Sequence, residues 1–230
     1  MQPHRKRQWC IQKVTAGFLA RMEIILRLYL LPYDPDFPVV CFDERPCFLI
    51  GDIVEGLDME PGKVAKEHYA YSKHGSACVL AGIEPQTGKR LAHVREQRTQ
   101  KEFALFMLAL AQSYPEAIRI KVVLDNLNTH GYGSFYTAFD AQTAEWLTKR
   151  IEFVYAPKSA SWLNMIEIEF SALARQCLKR RIPCIQLLEK EVLTFFKERS
   201  QKGVKINWQF SVTNARGKLN RHYSNVNPEN

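Results

Sequence analysis

The chain has 230 residues, 46% of them hydrophobic and 24% charged. That is ordinary for a folded domain and excludes a largely disordered chain. The net charge of +8 points toward polyanions, with nucleic acid first and an anionic membrane surface second. Six cysteines are scattered without C-x-x-C or zinc-finger spacing, so neither a disulfide framework nor a zinc site is expected.

Residues 1–9 are basic but no apolar core follows them. Residues 16–31 carry Arg21, Glu23 and Arg27, which excludes a signal peptide or membrane span. Phe18, Met22, Ile25 and Leu28 recur at helical spacing and predict an amphipathic helix. The proline-rich stretch 32–38 reads as a connector into a domain that begins near Pro38. Residues 39–43 are an apolar run ending in Asp43, a buried-strand pattern. In residues 45–76, Gly51, Gly56, Pro61, Gly62 and Gly75 break the periodicity, which predicts a long excursion with little regular structure. Residues 77–83 and 90–96 read as the two arms of a hairpin turned at 85–88. A helix is expected over 101–113, a strand over 121–125 ending in Asp125, a helix over 141–149 and a strand over 151–155. A helix over 162–179 is capped by Ser161, and a further helix covers 185–200. From Gln201 the tail is polar and expected to be only partly ordered.

This order, β-β-β-α-β-α-β-α, is that of a ribonuclease H-like α/β fold: a mixed five-stranded sheet flanked by helices, with an N-terminal linker helix and a C-terminal helical extension. The expected divisions are 1–37 (basic segment, linker helix and connector), 38–200 (catalytic domain) and 201–230 (polar tail). A cytoplasmic location is the default.

Asp43 and Asp125 end two strands, and Glu167 lies in the first turns of the last core helix. Taken singly, each Asp would more often start a turn, and Glu167 would more often be a solvated helix residue. Jointly they can converge, because sites in open α/β sheets form at strand ends. Three carboxylates are suitable anchors for Mg²⁺, which prefers oxygen and keeps waters and phosphate oxygens in its shell. Two such ions roughly 3.5–4 Å apart can activate an attacking oxygen and stabilise a leaving one. Glu169 is the competing carboxylate on this helix, but two positions are about 200° of rotation, so both cannot face one site. Glu167 is favoured because it stacks with Leu163, Phe170 and Ala174. Around Asp125, the residues Asn126, Asn128, Thr129 and His130 form either an Asx-rich turn or a set of groups that orient water, phosphate or a metal ligand.

The segments VCFDE (40–44), LDNLNTH (124–130) and PKSASWLNMIE (157–167) resemble the three catalytic motifs of the IS630 family of DDE transposases, within the IS630/Tc1/mariner superfamily. The likeness runs from about Trp9 to about Tyr223. It implies DNA cleavage at transposon ends and strand transfer into double-stranded target DNA. Asp43, Asp125 and Glu167 would be the metal-binding triad, with Asn126, Asn128, His130 and Asn164 in support. It further implies Mg²⁺, with Mn²⁺ as substitute and two ions bound, and a homodimer on paired ends to which the 45–76 excursion contributes. Members of this family usually carry an N-terminal helix-turn-helix region. This chain starts at what resembles the linker after it, so either the DNA-reading part lies on another reading frame or this is a truncated copy.

Candidate DNA contacts are Lys158, Trp162, Lys179, Arg180, Arg181, Arg216, Lys218 and Arg221, with Arg90, Arg95 and Arg98 as a further patch. Phosphate contacts of this kind would supply affinity and salt dependence but no sequence choice. Two alternatives stand beside the enzyme: a truncated remnant that binds DNA without cutting, and a related nuclease acting on RNA–DNA hybrids.

Overall fold

The computed structural model describes residues 14–54, 59–64, 66, 68–127 and 130–226. Helix α1 (Ala16–Tyr29) leads through the connector into β1 (Val39–Asp52), β2 (Tyr71–Ile83) and β3 (Arg90–Arg95). Then come α2 (Gln100–Gln112), β4 (Ile120–Leu124), α3 (Gly133–Ala138), α4 (Ala141–Arg150) and β5 (Ile151–Tyr155). Helices α5 (Ile166–Gln176), α6 (Ile185–Gln201), α7 (Val212–Lys218) and α8 (Asn220–Val226) complete the chain. The strands form one five-stranded sheet in the order β3-β2-β1-β4-β5. The first three are antiparallel neighbours, while β1, β4 and β5 run parallel. This is the mixed, helix-flanked α/β sheet that the element order predicts.

Strand alternation divides the apolar residues between the two faces. Cys41, Ala81, Ile83 and Val123 join Ile25 of α1, Ile166 and Phe170 of α5, and Leu188 and Val192 of α6. Val40, Phe42, Leu80, Val122 and Leu124 pack instead against α2, α3 and α4 through Phe103, Phe106, Phe135 and Leu147. Helix starts are fixed locally: the side chains of Thr15, Thr99 and Asp140 accept backbone N–H bonds at 2.9–3.2 Å. The β2–β3 turn requires its glycine. Gly88 has φ +82°, and a Cβ there would stand 2.7 Å from the carbonyl oxygen of Val204.

Four elements differ from the sequence reading. Much of the 45–76 excursion is regular: β1 and β2 stay paired out to Asp52↔Tyr71, with a register shift at Leu49/Ile50. Gly75, at φ +124°, sits opposite Leu49 beside that shift, so the glycine marks a bulge within the ladder. Pro46 is tolerated because β4 pairs only with Val39, Val40 and Cys41, which leaves β1 an open edge beyond them. Residues 133–138 form a short helix, α3, that the periodicity did not announce. The helix expected from 162 begins at Ile166, after a separate 3-10 turn at Ser161–Leu163, and the Ser161 side chain caps neither. Finally, the tail folds. Ala215 and Leu219 are buried with Phe18, Leu19, Met22 and Leu26 of α1, and Glu23 binds Arg216 and Tyr223 at 2.7–2.9 Å.

Candidate active site

Asp43 lies within β1 and does not end it. What ends nearby is the parallel pairing: Val39, Val40 and Cys41 face Lys121, Val122 and Val123. Continuing that register sets Asp43 beside Asp125, which directly follows β4 at the carboxyl end of the parallel strands. Alternation gives Asp43 the face of Cys41, which is the face covered by α5. Glu167 is exposed in the first turn of α5, where the helix enters that face. The three carboxylates interact electrostatically: burial first, then repulsion from Asp125 and Glu167, raises the Asp43 carboxyl to about 7. The backbone N–H of Glu44 donates to Asp43 Oδ1 at 2.7 Å and partly offsets this.

Glu169 faces the other way. It is fully buried and receives paired hydrogen bonds from Arg90 and Arg199 at 2.8–3.0 Å. Burial raises the Glu169 pKa, and the two guanidiniums override it, so the net shift is downward.

His130 is buried between Phe103, stacked at a centroid distance of 4.7 Å, and the edge of Phe42. Its Nδ1 donates to Asp125 Oδ1 at 2.6 Å, and its Nε2 lies 3.3 Å from Glu44 Oε1. Burial pulls the imidazole pKa down, but the hydrogen bond to Asp125 and the close carboxylates of Asp125 and Glu44 outweigh this and raise it to about 9. The ring is therefore cationic at neutral pH, with N–H groups toward both carboxylates.

Asn164 is buried, and its Nδ2 donates to the carbonyl oxygen of Phe42 at 2.8 Å, which ties the loop before α5 to β1 next to Asp43. Tyr29 adds a second tie, donating to the Leu163 carbonyl oxygen at 2.8 Å. Asn126 is exposed beside Asp125, and Asn128 lies outside the described residues.

Among the described residues no group of three or more His, Cys, Asp or Glu side chains is arranged to hold a metal ion as it stands. The donor set at this point is nevertheless all carboxylate oxygen, with repulsion that a hard cation would offset. Joint ligation by Asp43, Asp125 and Glu167 therefore fits chemically and requires their side chains to close in.

The basic residues separate into two groups. Lys158, Lys179 and Arg221 are exposed, and Trp162 is 38% exposed with its edge against Phe210. Others are engaged within the chain: Arg180 with Glu191, Arg181 with Asp52 and the carbonyls of His68 and Ala70, Arg216 with Glu23, and Lys218 over the Phe210 ring. Of the expected patch, Arg90 is fully buried on Glu169, whereas Arg95 pairs with Glu102 and Arg98 with Glu44 while part of each side chain stays exposed. Glu44 is the residue that sequence reasoning passed over. The signal was present: it adjoins Asp43 in an apolar strand and so must face the opposite side, among Phe42 and its neighbours.

Comparison with known proteins is consistent with this geometry. A family model described as DDE superfamily endonuclease matches residues 38–189. Among solved structures, the Mos1 mariner paired-end complex with Mn is 15% identical, covers 96% of this chain and 66% of its own, and has a TM-score of 0.54. The paired-end complex with Mg is 14% identical, covering 95% and 64% with a TM-score of 0.53. The Mos1 strand transfer complex is 13% identical, covering 97% and 67% with a TM-score of 0.55. At this identity the likeness is one of fold, and this chain spans about two thirds of the Mos1 chains. No curated protein matches the chain. No helix among the described residues is long and apolar enough to cross a membrane.

Proposed function

Because the chain belongs to the DDE superfamily endonucleases, we propose that it cleaves DNA at transposon ends and transfers the freed strand into target DNA, as an IS630-type transposase. What supports this reading is the placement of Asp43 and Asp125 at the end of the parallel pairing, with the charges of Asp125 and of Glu167, in the first turn of α5, both acting on the Asp43 carboxyl. Asp43, Asp125 and Glu167 would hold Mg²⁺ or Mn²⁺, two ions in the full complex. When bound, these supply an activated water or 3′ hydroxyl and stabilise the oxygen that leaves.

The chain's own residues do the rest. Asp125 keeps one oxygen on the His130 ring, so its second oxygen is the one available to a cation. Asn164 and Tyr29 hold the loop before α5, which fixes where Glu167 enters. Lys158 is exposed and would meet a DNA phosphate, and the partly exposed Trp162 ring is where an unpaired base could stack. Of the basic residues singled out in the sequence, Lys179 and Arg221 are also exposed and could meet a duplex.

The working assembly is a homodimer on two transposon ends, with end recognition from a helix-turn-helix region, acting in the cytoplasm, and at the nucleoid if the host is bacterial. The test is Mn²⁺-dependent nicking of duplex DNA carrying the element's own ends. Nicking by the wild type that Glu167→Gln abolishes supports the assignment. Equal nicking by the variant overturns it. A wild type that binds these ends without nicking them, with an end-binding region supplied, would identify a non-cutting DNA-binding remnant.

A further inference from the structure

The acidic residue next to Asp43 has no part in the reading above, yet it is among the most costly groups in the molecule to bury. Glu44 has a side chain with zero exposure, on the sheet face opposite Asp43. A carboxylate in such a place needs charged partners. Two stand on either side of it. Oε1 lies 3.3 Å from Nε2 of His130, and Oε2 lies 3.3 Å from Nε of Arg98, whose side chain is half exposed. Neither Glu44 oxygen has an aligned hydrogen-bond partner, so both contacts are close approaches of polar groups and not formed hydrogen bonds. From the other side of the same ring, Nδ1 holds Asp125 Oδ1 at 2.6 Å. The four side chains thus form one chain of contacts from solvent to the site: Arg98, Glu44, His130, Asp125.

We infer that Glu44 is a positioning residue for the metal site: braced by Arg98, it holds the His130 ring in the orientation that takes one oxygen of Asp125 and leaves the other for the cation. The inference rests on the metal-site reading above. Stacking on Phe103 sets the plane of the ring but is indifferent to a half-turn about Cβ–Cγ, which would put carbons where the two nitrogens stand. Asp125 at Nδ1 and Glu44 at Nε2 both favour the observed orientation, and Glu44 is the one of the two that is not itself a candidate metal ligand. Groups that hold metal ligands from behind commonly change metal affinity about 10–100-fold when removed.

A buried Glu that only balances charge in the core would make a different prediction, and Arg98 separates the two. Removing a positive charge near a cation site should tighten cation binding if simple electrostatics is all that operates. If Arg98 braces Glu44 and through it the His130 ring, its removal loosens Asp125 and weakens binding. Mn²⁺ affinity of the full chain is measured by electron paramagnetic resonance of the free ion, with the ring nitrogen resonances of His130 recorded alongside. Glu44→Gln is expected to weaken Mn²⁺ binding about 10-fold or more and to move the His130 resonances. Arg98→Gln, whose half-exposed side chain makes a fold defect easy to avoid, is expected to weaken it several-fold, with Arg98→Lys closer to the wild type. Mn²⁺ binding by Arg98→Gln that equals or exceeds the wild type overturns the inference, even if Glu44→Gln fails to fold. A wild type that binds no Mn²⁺ overturns the metal-site reading itself, an outcome distinct from the first.

Discussion

Asp43→Asn should make the metal-free protein more stable, and only on the alkaline side. The Asp43 carboxyl is raised from 3.8 to about 7 in the folded chain, by burial first and then by Asp125 and Glu167. A carboxylate raised in this way binds its proton more tightly folded than unfolded. Its contribution is therefore most favourable below the unfolded value and is lost as the pH rises from about 4 to about 7. The difference between 3.8 and about 7 corresponds to ~4 kcal/mol. Solvent reaches part of this side chain, so about 1–3 kcal/mol is the expected size. Asparagine keeps the oxygen that accepts the Glu44 N–H and removes the charge. Urea unfolding in EDTA, at pH 4 and at pH 8, tests this. The variant should match the wild type at pH 4 and exceed it by about 1–3 kcal/mol at pH 8. Adding Mn²⁺ at pH 8 should stabilise the wild type and leave the variant unmoved. A variant no more stable than the wild type at pH 8 would refute the crowding of Asp43 by the other two carboxylates.

Glu169→Ala leaves Arg90 buried without its carboxylate and should destabilise the fold by about 3–5 kcal/mol, read in urea unfolding with EDTA present. A loss below about 1 kcal/mol would show that the Arg90–Glu169–Arg199 cluster does not brace α5 against β3 and α6. Arg216→Ala removes the paired hydrogen bonds to Glu23 and should expose residues 212–226 to limited proteolysis well before the sheet unfolds. Unchanged protection would mean that the apolar contacts of Ala215 and Leu219 alone hold the tail on α1.

The parallel strands were readable because both of their faces are buried. Apolar runs such as VVC and KVVL carry that fact in their composition; Asp125 directly follows β4, whereas Asp43 lies just past the parallel pairing of a strand that continues to Asp52. The choice of Glu167 over Glu169 rested on rotation about one helix, a local property, and the structure uses the two residues in opposite directions. The features that escaped depend on distant partners. The long β1–β2 hairpin is held by cross-strand pairing that outweighs its glycines, one of which serves the bulge. The tail folds because Ala215 and Leu219 find α1, about two hundred residues earlier in the chain, and polar composition does not reveal that. Arg90, Arg95 and Arg98 looked like a surface patch because a sequence gives their charge without the carboxylates that meet them.

The central claim is that Asp43, Asp125 and Glu167 form one metal-dependent DNA-cutting site. Nicking of duplex DNA carrying the element's ends, in Mn²⁺, by wild type and Glu167→Gln of matched thermal stability, tests it most directly. Wild-type nicking that disappears in Glu167→Gln and in EDTA is the predicted result. Nicking that persists in the variant at the wild-type rate would contradict the account.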